Sequence, residues 1–94
     1  MTFGIVAGTV VGTNKSNAPE GRYLLVQECD RRGGRKESCL VAFDLAGSGE
    51  GEMVIVAQGS SARQTGPTYE KPIDAVIVGI VDLVEENGEV CYRK

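Results

Sequence analysis

Most apolar runs in this 94-residue chain are short, rich in β-branched residues and broken or bounded by glycine. The first, Phe3–Thr13, carries Ile5, Val6, Thr9, Val10 and Val11 around Gly4, Gly8 and Gly12. Arg22–Glu28, Cys39–Phe43, Glu52–Gln58, Ile73–Val84 and Glu89–Arg93 follow. Val, Ile and Thr lose χ1 freedom against the preceding turn of a helix, and they suit a pleated surface. No segment repeats its apolar residues with a helical period, so no long amphipathic helix is expected. Asn14–Gly21 and Thr65–Pro72 read as polar loops, and Cys29–Ser38 as a charged turn region around Gly33-Gly34. Asn87-Gly88 predicts a type I′ turn, because both residues tolerate positive φ. Ser60 or Ser61 is placed to cap one short helical turn running to Gln64. Six or so strands with one helical turn predict a single all-β domain over residues 1–94, a small barrel or sandwich of the OB kind. Glycines inside the strands predict bulges or close backbone contact.

Composition removes several function classes. The chain has no histidine, which excludes Ser-His-Asp and Cys-His catalysis within one chain, as well as His-ligated metal sites. Its net charge is −3 and its aromatic content 5%, a poor match to a phosphate-backbone binder with base-stacking platforms. The longest apolar stretch, Ala75 to Val81, is far too short to span a membrane, and the opening residues lack a signal-peptide pattern. Cys29, Cys39 and Cys91 form neither a C-x-x-C pair nor an even framework, so small buried thiols of a reduced, cytoplasmic protein are expected.

Four constellations invite chemistry. Gly47-Ser-Gly-Glu-Gly51 resembles an anion cradle, but a strand rather than a helix follows it and the Gly-Lys-Ser/Thr ending of a P-loop is missing. A tight, glycine-permitted loop is the expected reading. Ser60 and Ser61 have no base to activate them, so capping and turn bonding are expected. Arg31, Arg32, Arg35 and Lys36 cluster beside Glu28, Asp30 and Glu37, which fits a solvated loop that protects strand edges. Asp44, Asp74 and Asp82 sit at run ends, where turn and capping roles prevail. No catalytic residue, cofactor or metal site emerges.

Taken together, the residues carry a resemblance. The ordered segments are Ile5-Val-Ala-Gly-Thr-Val-Val-Gly-Thr13, Leu24-Leu-Val-Gln27, Gly47-Ser-Gly-Glu-Gly-Glu52, Gly59-Ser-Ser-Ala-Arg63 and Pro72-Ile-Asp-Ala-Val-Ile-Val-Gly-Ile-Val-Asp82. This order resembles the EutN/CcmL family, the pentameric vertex proteins of bacterial microcompartments and carboxysomes. Ser48 departs from the alanine expected at its position, and the Arg31–Lys36 loop is unusually basic. The resemblance implies an OB-like barrel that closes into a homopentamer and serves as a structural part of a shell, with no enzymatic activity. Flat hexagonal tiling cannot close a polyhedron, so pentagons would fill the corners beside hexameric shell proteins. A closed ring needs two different patches per subunit. On this reading Gly47, Ser48, Gly49, Glu50 and Gly51 are expected near the five-fold axis or the adjacent interface. Ser60, Ser61, Ala62 and Arg63 are expected at the subunit boundary. Neither a nucleic-acid nor a membrane partner is expected. The alternative is an OB-fold module that binds single-stranded nucleic acid or acts as an adaptor.

Overall fold

The computed structural model describes residues 1–12, 20–59, 62 and 74–94. The described residues form seven strands: β1 (Thr2–Val10), β2 (Tyr23–Cys29), β3 (Arg35–Asp44), β4 (Met53–Gln58), β5 (Ala75–Ile80), β6 (Leu83–Glu86) and β7 (Glu89–Arg93). The described residues include no α-helix. The first five strands close a barrel in the order β1-β2-β3-β5-β4, and β6 and β7 form a separate hairpin. All barrel pairings are antiparallel except β3 with β5, which meet only at Phe43↔Val76 and Asp44↔Ile77. The expected barrel is therefore present, and closure leaves few open strand edges.

Alternation is clearest in β2, whereas β1, β4 and β5 bury consecutive residues. Leu24 and Val26 point inward from β2, while Tyr23, Leu25 and Gln27 face out. Val6, Leu24, Val26, Ala42, Val54, Val56, Ala75 and Ile77 make one buried cluster. A second cluster of Ile5, Cys29, Met53 and Val81 receives Tyr92 and Val84 from the hairpin. Removing a large apolar side chain from water contributes about 1.5–3 kcal/mol before entropy is counted, so these clusters carry most of the fold.

The strand glycines behave in two ways. At Gly8 the β1–β2 register shifts, which marks a bulge. At Gly4 a Cβ would collide with Val26 Cγ1 and lie 3.2 Å from the Gln27 carbonyl oxygen, so the absence of a side chain lets β1 and β2 approach.

Two boundaries differ from the sequence expectation. The charged region is not a turn throughout: β3 starts at Arg35 rather than Cys39, with Cys29 paired to Arg35. Arg35–Cys39 are exposed, so polar side chains there cost the strand little. The turn itself is short. The Asp30 carboxylate accepts the N–H groups of Arg32 and Gly34, and Gly33 adopts φ 83°. The long run Ile73–Val84 is not one strand, because it breaks at Val81-Asp82 between β5 and β6. Val81 N–H bonds the Met53 carbonyl and its side chain stays buried, so the apolar pattern continues across the break. The thiols also differ among themselves: Cys29 is buried, Cys39 exposed and Cys91 half-buried. Cys39 pairs across the sheet with Gln27, on the outward register of β3. Burial pushes the Cys29 thiol pKa up, which keeps it unreactive. The Asn87-Gly88 turn matches expectation, with φ values of 52° and 82°. The helical turn expected at residues 60–64 falls outside the described residues, except for Ala62.

Candidate functional site: the glycine loop and its anchors

Residues 45–52 connect β3 to β4. Two carboxylates shape this connection, one at each end. Asp44 closes β3, and its side chain is 1% exposed. It accepts N–H bonds from Ala46 at 3.0 Å and Ser48 at 3.1 Å, and the Ser48 hydroxyl donates to it at 3.1 Å. This is the aspartate-to-backbone turn expected of the residue type. The Arg22 guanidinium, 3.4 Å away, compensates the charge that burial would otherwise penalise. Ser48 is itself 1% exposed. Its hydroxyl bond to Asp44 gives a physical role to the one position in this loop where alanine was expected.

Glu52 anchors the other end. Its Oε1 accepts the Gly49 N–H at 2.6 Å, and its own N–H donates to the Gly49 carbonyl at 3.1 Å. Gly51 N–H bonds the Val6 carbonyl, and Val6 N–H bonds the Glu52 carbonyl, so the loop is stitched to β1. Gly47 and Gly51 have φ of 71° and 86°, the left-handed region that glycine adopts without strain. Lys94 Nζ lies 2.5 Å from Glu52 Oε2. That ammonium, followed by the Gly49 N–H, holds the Glu52 carboxyl below the usual carboxylate range.

The loop is therefore not an anion cradle. The amides of Ala46, Ser48, Gly49, Gly51 and Glu52 are already engaged by the protein's own acceptors. Gly47, Glu50 and Gly51 are exposed, while Ser48 faces inward. The loop thus presents backbone and one carboxylate to its surroundings, with no catalytic pair.

Of the second group, only Ala62 is described. It is fully buried against Phe43 and Val76, with Tyr23 beside them. The Tyr23 and Phe43 rings lie 5.3 Å apart at 60°. Ser60, Ser61 and Arg63 lie outside the described residues. Phe43 precedes Asp44, so the Ala62 contact and the glycine loop share the end of β3. The basic cluster divides. Arg31 and Arg32 occupy the turn, whereas Arg35 and Lys36 start β3. Arg31 Nε donates to Glu86 Oε1 at 2.9 Å, and Arg35 donates to Gln27 Oε1 at 3.2 Å. Asp74 and Asp82 contribute backbone carbonyls, to Gly59 and Lys94 respectively. No group of three or more Cys, Asp or Glu residues is arranged to hold a metal ion among the described residues. No described helix is long and apolar enough to cross a membrane.

The barrel wall also carries outward apolar side chains. Leu25 and Val41 are cross-strand partners, 36% and 48% exposed, with Val10 exposed on the neighbouring strand β1. Leu45 and Val78, beyond the β3–β5 pairing, form a second exposed group. Sequence reasoning did not identify this division, nor the Arg22–Asp44 and Glu52–Lys94 pairs, whose partners are distant in the chain.

The comparisons with known proteins agree with one another. The family model described as "Ethanolamine utilisation protein EutN/carboxysome" matches residues 1–82. The bacterial microcompartment shell vertex protein EutN of Escherichia coli (strain K12) is 36% identical over 95 residues, covering all of both chains. The solved structure of Gloeobacter violaceus CcmL superposes with a TM-score of 0.93 at 37% identity, covering 100% of this chain and 98% of that one. GrpN, a pentameric microcompartment shell protein from Rhodospirillum rubrum, superposes with a TM-score of 0.78 at 43% identity, over 92% of this chain and 100% of its own.

Proposed function

This chain belongs to the EutN/CcmL family, and on that premise we propose that it is a structural vertex protein of a bacterial microcompartment shell. It acts as a cyclic homopentamer, as a single domain over residues 1–94, within the cytoplasm and without enzymatic activity. The observation that carries this reading is the match over the entire chain, in sequence and in fold, to shell vertex proteins, one of them pentameric. The same match favours it over the alternative of an OB-fold nucleic-acid or adaptor module.

Several features of the chain support the ring. A cyclic interface is heterologous and needs two different patches on each subunit. The group Val10, Leu25 and Val41 and the group Leu45 and Val78 are two such exposed apolar sets. The glycine loop, rigidly anchored yet short of side chains, suits the crowded five-fold axis, with Glu50 turned outward. The 60–63 segment suits the subunit boundary, because Ala62 already packs beside the loop's β3 anchor. Hexameric shell proteins are the partners such a pentagon would meet at the edges of flat facets.

Native mass spectrometry over a range of concentrations tests the proposal. Five copies of 10.0 kDa give a ring of about 50 kDa. A monomer or dimer throughout the range overturns it. Mixing the ring with a hexameric shell protein should then give closed particles where the hexamer alone gives sheets or tubes. In dilution assays Arg63→Ala should raise the concentration at which the ring dissociates. An unchanged dissociation curve would remove residue 63 from the interface.

A further inference from the structure

The β6–β7 hairpin lies beyond the segment matched by the family model, which ends at residue 82. Beyond the packing of Val84 against the Met53 cluster, three contacts fasten it to the barrel. Arg31 bonds Glu86. Tyr92 packs near Met53 and against Gly33, where an added Cβ would sit 3.4 Å from the ring. Lys94 pairs with Glu52. The third contact is unlike the others, because Glu52 is already committed to the glycine loop through Gly49. One carboxylate has an oxygen on the loop and an oxygen on the hairpin.

We infer that Glu52 is a positioning residue through which Lys94, and with it the 83–94 hairpin, sets the conformation of the 47–51 loop. A loop with two left-handed glycines has many backbone conformations of similar energy and needs fastening to hold one. Asp44 fastens residues 46–48 from a buried position and is balanced by Arg22 within the barrel. Glu52 fastens residue 49 from a half-buried position, and its rotamer is held by an ammonium carried on the hairpin. The first anchor is fixed, and the second moves with the hairpin. Asp82 and Tyr92 are the other titratable groups near Lys94, and neither replaces its positive charge at Glu52. A contact that lifts the hairpin or captures Lys94 frees the Glu52 side chain and loosens Gly49. By linkage, a contact that holds the loop tightens the hairpin.

The test is an amide NMR titration of the intact assembly, following the Gly49 and Ser48 resonances. In the unaltered protein the Gly49 amide should titrate with a midpoint below the ordinary glutamate value of about 4.3. Lys94→Gln should move that midpoint up toward the ordinary value and speed Gly49 amide exchange, while Ser48 stays in place. Lys94→Arg should keep the low midpoint, because it restores the charge. Glu52→Gln should abolish the titration. An unchanged midpoint in Lys94→Gln, or a Gly49 resonance indifferent to Glu52→Gln, overturns the inference. Every contact in the coupling lies inside one chain, so the titration is readable in a ring or a monomer. A ring that persists with an unmoved Gly49 sinks the coupling alone, whereas a monomeric mass sinks the vertex reading alone.

Discussion

Inside the barrel, Leu24, Val26, Val54, Val56 and Ile77 are fully removed from water and meet one another from three strands. In the β6–β7 hairpin only Val84 and Tyr92 reach apolar neighbours, and Leu83, Glu85, Glu86, Glu89 and Val90 face solvent. An isolated two-stranded hairpin is marginal in water. This one persists because it combines a small apolar footing with exposed ion pairs at Arg31–Glu86 and Lys94–Glu52. Apolar burial is not screened by salt and carries no titrating group, whereas exposed ion pairs are screened and titrate. The barrel should therefore answer to cavities and clashes, and the hairpin to charge.

The largest expected effect sits in the barrel. Leu24→Ala should cost about 2–5 kcal/mol, the range for a buried leucine whose cavity does not collapse. The check is the denaturant midpoint at fixed protein concentration, with an unchanged slope. Gly4→Ala should cost about 1–3 kcal/mol by overpacking, since its Cβ meets a stiff valine and a backbone carbonyl. If Gly4→Ala proved neutral, the close β1–β2 approach would not be tight in solution. Tyr92→Ala should come next, at about 1–2 kcal/mol for a half-buried aromatic. Its effect should appear as faster amide exchange in β6 and β7 while the β2 amides stay protected. Equal loosening of both regions would mean that the hairpin is part of the barrel's cooperative unit.

The same division explains what was legible in the sequence. The barrel strands were readable because alternation is a local signal, as in Leu24 and Val26 against Tyr23, Leu25 and Gln27. The Asn87-Gly88 turn was readable because its chemistry lies in two adjacent residues. The start of β3 was misplaced because Arg35–Ser38 are polar, and polarity on an exposed edge resembles a loop. The break at Asp82 was hidden because Val81 and Val84 bury on either side of it. At the candidate site, the glycines of 47–51 marked the loop. Its anchors were invisible, because Asp44 with Arg22 and Glu52 with Lys94 are pairings created by the fold. Ser48 stood out as a departure, and only the bond to Asp44 explains it.

The smallest expected effects concern the hairpin's charged surroundings, and their sign follows from the carboxyls involved. Asp30 is held below the usual carboxylate range first by the Gly34 N–H and then by the Arg32 N–H, and Glu52 first by Lys94. A carboxyl whose folded pKa is depressed adds stability that is present above its unfolded value, about 4, and is lost as pH falls through the folded one. Acidification below about pH 4 should therefore relax the 30–34 turn and the Glu52 anchor together, at two of the places where the hairpin meets the barrel. Lys94 has the opposite sign. Glu52 raises its pKa, so its contribution is full at neutral pH and disappears only in strong alkali, above the ordinary lysine range. Gly34 and Gly49 amide resonances should shift in the same acid window while those of Leu24 and Val54 hold still. High salt at neutral pH should weaken the Arg31–Glu86 and Lys94–Glu52 pairs and speed β6–β7 exchange, without moving the barrel's denaturant midpoint. If salt and acid left the hairpin as protected as the barrel, its footing would be Tyr92 and Val84 alone, and the contrast between the two regions would reduce to the amount of apolar surface each buries.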